Sequence, residues 1–191
     1  MKRIILTIVA VALCASTVSA QRYLPGQMGI ELAGGFGDGF KLKKQDGQAF
    51  YGNVSVSAYN KKQNRWVFGA EYFQRGFDYR GELIPLAQFT AEGGHYVKFL
   101  SDPTKTVFLS VGASALAGYE TLNWGKRQLP DGARIAGKDG FIYGGAVSLE
   151  VETYLSDRIV LLVRARERIV FGTTLKHFHF QLGAGLKFII K

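Results

Sequence analysis

The stretch FIYGGAVSLEVETYLSDRIVLLVRARERIVF, residues 141–171, alternates apolar and polar side chains on both sides of a short break at 156–158. Alternation with period two predicts two β-strands, and the break predicts a tight turn between them. The apolar face of this predicted hairpin carries Phe141, Tyr143, Gly145, Val147, Leu149, Val151, Leu155, Ile159, Leu161, Val163, Ala165 and Ile169. A hairpin with one apolar and one charged face suits either a soluble β-sandwich or a membrane β-barrel. The rest of the chain has to distinguish them.

The polar face of the hairpin carries five charged side chains, Glu150, Glu152, Arg164, Arg166 and Arg168. If the two strand ends pair across the turn, Glu150 lies opposite Arg164. Glu152 and Arg166 then fall on the diagonals of that pair, so the cross-strand charges are complementary. We therefore predict that the five residues form a structural charge network.

The first twenty residues have the parts of a secretory signal peptide. Two basic residues precede an apolar run at 4–13, and small residues lead to Ala20. Cleavage is expected between Ala20 and Gln21, which leaves one domain over 21–191 and lowers the net charge from +9 to +7. An uncleaved membrane anchor is the alternative, but the run is shorter than the roughly 20 residues that a spanning helix needs.

The single cysteine, Cys14, lies in the segment that is predicted to be removed. A lipoprotein interpretation would make it the acylated first residue, but Leu13 stands where a small residue is expected. The remaining chain is expected to have no disulfide and no thiolate metal site.

Period-two alternation continues through the chain and predicts eight strands rich in aromatic and β-branched residues. The predicted strands are 27–36, 50–59, 65–77, 89–100, 106–119, 141–155, 159–171 and 177–190. Short turns at 60–64, 101–105 and 156–158 alternate with long loops at 37–49, 78–88 and 120–140. An even number of strands with short turns on one rim and long loops on the other predicts an all-β, eight-stranded, antiparallel, up-and-down outer-membrane β-barrel.

The polar side of the predicted strands favours this barrel over a soluble sandwich or a lipocalin-like barrel. It combines small residues with a near balance of acidic and basic side chains, and aromatic residues lie toward the strand ends. An eight-stranded barrel is only wide enough for side chains to fill it, so paired charges among small residues fit its interior. Aromatic residues at strand ends fit the girdles of a membrane barrel.

No motif for phosphate binding, zinc binding or a catalytic nucleophile is present. His177 and His179 alternate on one predicted strand, and with His95 they are all the histidines. A lipid-modifying barrel enzyme could pair a histidine with Ser148 or Glu150. Packing in the interior or at the rim is the commoner role, so we predict a non-enzymatic protein without catalytic, cofactor-binding or metal-binding residues.

Two sets of basic residues have alternative roles. The arginines at 164, 166 and 168 could line an anion path, but the acidic residues in register favour a structural network. The long loops carry Lys41, Lys43, Lys44, Arg80, Lys126, Arg127, Arg134 and Lys138. These could meet lipopolysaccharide phosphates, another protein or transferred DNA. No stacking platform accompanies them, so direct nucleic-acid binding is not expected.

Two runs carry a family resemblance: FTAEGGHYVKFLSDPTKTVFLSVGASALAGYETLNWG at 89–125 and DGARIAGKDGFIYGGAVSLEVETYLSDRIVLLVRARER at 131–168. They resemble the conjugal transfer protein TraO family of Bacteroidetes conjugative transposons. The resemblance implies an exported structural or accessory component of a conjugative DNA-transfer apparatus in the outer membrane. Its implied partners are outer-membrane lipid and other proteins of the apparatus. A generic porin-like or adhesion barrel is the alternative function, and a lipid-modifying barrel enzyme is a further one.

Overall fold

The computed structural model describes residues 26–38, 47–80, 82–129, 131–135, 137 and 139–190. The predicted signal peptide, 1–20, and the predicted cleavage site between Ala20 and Gln21 lie outside the described residues, as do Lys41, Lys43, Lys44 and Lys138. Over the described ranges the chain forms the predicted eight strands. They are β1 (Met28–Gly37), β2 (Ala49–Tyr59), β3 (Arg65–Tyr79), β4 (Glu82–Ser101), β5 (Val107–Leu122), β6 (Gly140–Tyr154), β7 (Ile159–Phe171) and β8 (Phe178–Ile189), with a short 3₁₀ turn at Asn123–Gly125 between β5 and β6.

The strands close into an antiparallel barrel in which each strand pairs with its neighbours in sequence. Closure comes from the pairing of β1 with β8, in which Glu31 lies opposite Lys187. The predicted hairpin of β6 and β7 has the expected register, with Glu150 opposite Arg164. The all-β, eight-stranded barrel fold predicted from the alternation is therefore confirmed.

The predicted long loop at 78–88 is wrong. Strands β3 and β4 continue to pair up to Tyr79 opposite Glu82, well beyond the point where β5 stops pairing with β4 at Leu86. Pro85, a residue type typical of loops, lies within β4 opposite Gly76, in a part of the strand that pairs on one side. Proline is tolerated on a strand edge because no hydrogen bond to a second neighbour is required there.

The two faces of the wall have opposite polarity. Large apolar side chains such as Phe68, Phe141 and Phe178 point outward and are exposed, whereas Glu150 and Arg168 are buried inside. The alternation of each strand produces this arrangement because successive side chains point to opposite faces of a sheet. The barrel is thus charged inside and apolar outside, the reverse of a soluble barrel.

Each of the three short turns begins with a side chain that accepts backbone hydrogen bonds. Asn60 Oδ1 accepts from the N–H groups of residues 62 and 64 at 2.9 and 3.1 Å. Asp102 Oδ1 accepts from residues 106 and 107 at 2.7 and 2.8 Å, and Ser156 Oγ accepts from residues 158 and 159 at 3.3 and 3.1 Å. Asx and serine side chains satisfy backbone donors in this way in tight turns.

The sequence has Gly-Gly pairs at 34–35, 93–94 and 144–145, and close approach of neighbouring strands explains the glycine at two of these positions. A Cβ at Gly35 would lie 2.2 Å from the carbonyl oxygen of Leu182, and one at Gly144 would lie 1.9 Å from that of Ile169. Both distances are shorter than van der Waals contact, so a side chain at either position would push the strands apart. The pairs serve packing in a narrow barrel.

Apolar side chains fill the interior near both rims. Phe108, Tyr154, Val160 and Leu162 pack together near the short turns. Toward the loops, Ala49, Tyr51 and Phe73 form one cluster, and Leu116, Ile142 and Val170 form another. The charged side chains lie between these apolar ends.

Among the described residues, no helix has both the length and the apolar character needed to cross a membrane.

Candidate functional site

The lower cluster, nearer the short turns, contains three acids and three bases: Glu31, Glu150, Glu152, Arg65, Arg164 and Lys187. Glu31 lies 2.9 Å from Arg164 and 3.1 Å from Lys187. Arg65 and Arg164 both contact Glu150. The cluster joins side chains from five strands, β1, β3, β6, β7 and β8, at one level of the interior.

Glu152 completes this cluster on the side of the short turns. Its carboxylate lies 3.1 Å from Arg65 Nη1, contacts the Lys187 ammonium group, and accepts a 2.8 Å hydrogen bond from the Tyr59 hydroxyl. The hairpin alone suggested that Glu152 lies on a diagonal of the Glu150–Arg164 pair. In the closed barrel its charge partners instead come from β3 and β8.

The upper cluster, nearer the loops, contains two acids and two bases: Glu71, Glu92, Arg166 and Arg168. Glu71 Oε2 accepts a 2.9 Å hydrogen bond from Arg166, and its Oε1 lies 2.9 Å from Arg168. Arg166 also contacts Glu92 on β4. Since β3 and β7 are four strands apart in a closed barrel of eight, the Glu71–Arg166 pair crosses the lumen.

Both clusters are electrically neutral on their own. The lower has three charges of each sign and the upper has two. An ion that is removed from water without a partner costs several kcal/mol or more, so burial of ten charged side chains requires local cancellation. The predicted network residues Glu150, Glu152, Arg164, Arg166 and Arg168 all lie in one of the two clusters.

Arg168 is held differently from the other bases. It is fully buried, and its guanidinium group lies 5.6 Å from the centre of the Phe73 ring. Among described residues its nitrogens have no hydrogen-bond partner, although the ion-pair contact with Glu71 is close. Coulombic attraction and the aromatic face therefore hold this charge, rather than directed hydrogen bonds.

A third group of polar side chains lies at the loop rim. Asp38 Oδ2 accepts hydrogen bonds of 2.8 Å from both Arg75 and His179. Partial burial alone would raise the pKa of Asp38, but the hydrogen bond from His179 and the charges of His179 and Arg75 bring its pKa below the ordinary value. The carboxylate thus stays ionised and fastens the end of β1 to β3 and β8.

The structure does not bring the candidate catalytic residues together. Ser148 faces the interior opposite Arg166, while Glu150 contacts Arg65 and Arg164. His177 lies at the loop rim, where its ring nitrogen is 3.0 Å from the carbonyl oxygen of Val170. Ser148, on β6, reaches β7 at Arg166, whereas His177, just before β8, reaches it at Val170. The two side chains therefore lie on opposite sides of β7, at positions four residues apart.

The three histidines have three different environments. His179 is buried beside Asp38, His177 is exposed against Phe171, and His95 lies on the outer wall with its ring 4.8 Å from that of Trp66. Within the described part of the chain, no group of three or more histidine, cysteine or acidic side chains could hold a metal ion. The alternating pair at 177 and 179 therefore does not share one environment.

Sequence reasoning missed Arg65, which contacts all three acids of the lower cluster. It is the first residue of β3 and follows the NKKQN turn, so it resembled one more solvated turn cation. Arg65 is an even number of residues away from Glu71 and Arg75, so it belongs to the same polar face of that strand. Applying the alternation to this first residue of the predicted strand 65–77 would have placed it inside.

Comparison with known proteins relates the chain to one family and one fold. Residues 24–190 match the family described as conjugative transposon protein TraO. No curated protein matches the sequence.

Two solved barrels are similar to the chain. Neisserial surface protein A, from Neisseria, has a TM-score of 0.59 at 15% identity, with 86% of this chain and 96% of that chain covered. Ail, the attachment invasion locus protein of Yersinia pestis, solved with the heparin analogue sucrose octasulfate, has a TM-score of 0.53 at 16% identity, with 86% and 100% covered. At such identities the similarity concerns the fold.

Removal of one buried charge should destabilise the barrel strongly. Arg65→Met leaves three acids facing two bases, and we expect a loss of about 3–5 kcal/mol in the free energy of unfolding. Urea unfolding of the refolded protein, followed through tryptophan fluorescence and gel mobility, measures this loss. Arg65→Met combined with Glu152→Gln restores neutrality and should recover part of it.

Lys62→Gln, in an exposed turn, is the control for loss of a positive charge. Its unfolding curve should match that of the original protein. If Arg65→Met unfolded at the same urea concentration as Lys62→Gln, the lower cluster would have no role in stability.

Proposed function

The chain belongs to the TraO family of conjugative transposon proteins, and from this premise we propose that it is a non-enzymatic outer-membrane β-barrel component of a conjugative DNA-transfer apparatus. Its role in the proposal is structural or accessory. The family match supports the part in conjugation, since residues 24–190 include all eight strands.

The observation that carries the membrane location is the reversed polarity of the wall. Val54, Val147 and Phe178 are each more than half exposed, whereas the charged clusters are buried. A soluble protein would leave this apolar wall in water, but lipid solvates it. Closure of the sheet also leaves no unpaired strand edge, which lipid would not tolerate.

Aromatic side chains support the same location. Near the loops, the rings of Phe50, Tyr72, Phe89 and Trp124 form a ladder with successive centre distances of 6.2, 5.1 and 6.4 Å. Near the short turns, Trp66, Phe99 and Phe188 are exposed on the outer wall. Aromatic belts at two levels are typical of barrels whose ends lie at the membrane interfaces.

The interior argues against a porin-like function. Ion pairs cross the lumen between β3 and β7, and apolar clusters lie above and below them. An eight-stranded barrel has space for such side chains but not for an open aqueous channel as well. DNA would therefore pass elsewhere in the apparatus, without direct contact with the barrel.

In this proposal the partners are outer-membrane lipid along the wall and other transfer proteins at the loops. The loops lie on the outer side, because short turns of such barrels face the periplasm. An adhesion barrel is the second candidate, favoured by the ordered loop hairpin in which Ile135 N–H donates to the carbonyl of Arg127 at 2.9 Å. An exposed, hydrogen-bonded hairpin suits recognition of a surface.

The protein should fractionate with outer membranes and migrate differently on gels before and after heating. A closed barrel resists detergent until it is heated, so the unheated form stays compact. Recovery as a soluble periplasmic monomer would contradict the proposal.

An in-frame deletion should lower the frequency of transfer in a mating assay, and the intact gene supplied in trans should restore it. Donor adhesion to recipient cells, measured without selection for transfer, separates the two candidates. Normal transfer with reduced adhesion would favour the adhesion barrel.

Glu167 offers a test of lipid contact. It lies on the outward face of β7 between Ala165 and Ile169, and it makes no ion pair with a described residue. A carboxylate on a lipid-facing wall is destabilising, so Glu167→Leu should raise the free energy of unfolding in lipid vesicles by about 1 kcal/mol. Val163→Glu is the reverse change, on the same outward face of β7 and two outward positions closer to the short turn. It should lower the free energy of unfolding by a similar amount.

Urea unfolding in vesicles and in detergent measures both changes. If Glu167→Leu were destabilising in both media, Glu167 would have a partner, and the wall at this point would not face lipid.

A further inference from the structure

A groove of about 670 Å³ crosses the outer wall from β2 to β6. Its floor is a row of alanines, since Ala70 lies opposite Ala91 and Ala91 lies opposite Ala117. The next outward row toward the turns also holds small residues, Gly93, Ala115 and Gly145, and it ends at Phe68, whose ring lies beside Gly93. Side chains of this size leave the wall recessed over three neighbouring strands.

Aromatic rings border the groove on the side of the loops. Tyr72, Phe89, Tyr119 and Phe141 lie opposite one another in register across β3 to β6. Phe89, Tyr119 and Phe141 are between 47% and 65% exposed, so the rings project from the wall above the alanine floor. The recess is therefore a slot with a distinct upper edge.

A basic loop lies directly beyond this edge. The ring of Trp124 is 6.4 Å from that of Phe89, and Lys126 and Arg127 follow two and three residues later in the chain. The loop then returns as a hairpin, in which Gln128 pairs with Arg134. This hairpin brings Arg134 back beside the other two cations.

The three cations are available to a ligand. Lys126, Arg127 and Arg134 are exposed, and none forms an ion pair with a described acid. Asp131 in the same hairpin is paired with Arg80 at 3.4 Å. Glu82 and Lys126 both line a neighbouring cavity of about 480 Å³, and they form no ion pair with each other.

We propose that the groove and the loop together bind one phosphorylated, multi-chain glycolipid of the outer leaflet, of the lipid A type. One acyl chain lies on the alanine floor under the aromatic edge, and the phosphate groups meet Lys126, Arg127 and Arg134. The inference rests on the proposed function, because it requires a barrel in the outer membrane with the loops on the outer side.

The chemistry of the two parts favours this occupant over a protein segment. A slot of methyl and ring groups offers shape to a hydrocarbon chain but no hydrogen bonds to a backbone. Since a lipid tail is already in an apolar medium, its affinity for the slot comes from van der Waals packing. Selectivity then depends on the cations, since each one adds attraction toward an anionic lipid headgroup.

Native mass spectrometry of the purified full barrel in detergent tests the proposal, with hexa-acylated bisphosphorylated lipid A as the probe. The same lipid without phosphates, cardiolipin and phosphatidylethanolamine are the comparison probes. We expect lipid A to remain bound at concentrations at which the other three do not. Equal retention of cardiolipin would overturn the choice of a glycolipid, and equal retention of the dephosphorylated form would overturn the role of the cations.

Two variants separate the parts of the site. Ala91→Leu with Ala117→Leu fills the floor and should weaken lipid A binding about tenfold, through the loss of roughly ten atom contacts. Lys126→Gln, Arg127→Gln and Arg134→Gln together should weaken it on the order of a hundredfold. Unchanged binding in either variant contradicts that part of the proposal.

Matched controls lie elsewhere on the barrel. Ala184→Leu adds the same bulk to an exposed alanine on β8, and Lys62→Gln removes a cation at the opposite rim. Neither should change lipid A binding. The shift of gel mobility on heating reports folding and membrane competence for every variant. A barrel that inserts into the membrane but does not bind lipid A refutes this inference alone. A chain that fails to insert refutes the proposed function.

Discussion

Cancellation of charge inside the barrel is the constraint on which the rest of the structure depends. Ten ionisable side chains from six of the strands are withdrawn from water, and they are tolerated because each cluster contains equal numbers of acids and bases. Isolated ions in that space would cost more than a domain of this size can supply. A strand placed in another register would separate the charges, so electrostatics and pairing select the same arrangement.

The polarity of the wall follows from this arrangement. Once the charged residues of a strand point inward, period-two geometry forces the intervening residues outward. Phe178 and Phe180 are exposed because they alternate along β8 with His179 and Gln181, which are buried. The same rule predicted both faces of the hairpin at 141–171 from the sequence, because its strands are regular and its turn has three residues.

Other parts could not be predicted because they depend on closure. The pair Glu150–Arg164 follows from the register of one hairpin, whereas Glu71 and Arg166 are 95 positions apart and meet only across the lumen. Arg65 was missed because a turn lies directly before it, and the extension of β3 and β4 was missed because Pro85 resembles a loop signal. Local alternation determines which face a side chain takes, but the stagger of the closed barrel determines which partner it meets.

The division between interior and surface also limits where recognition can occur. The ion pairs that cross the lumen tie opposite strands together, so the interior has little freedom to respond to a partner. The wall is apolar and has no defined shape for recognition, except at the alanine floor and the aromatic edge. Binding that distinguishes one partner from another must therefore involve the loops, and the described loop residues 123–129 and 131–135 stand directly above that shaped part of the wall. A lipid held at this place would fix the height and orientation of the hairpin in the membrane, and so would present the same surface to every transfer protein that meets it.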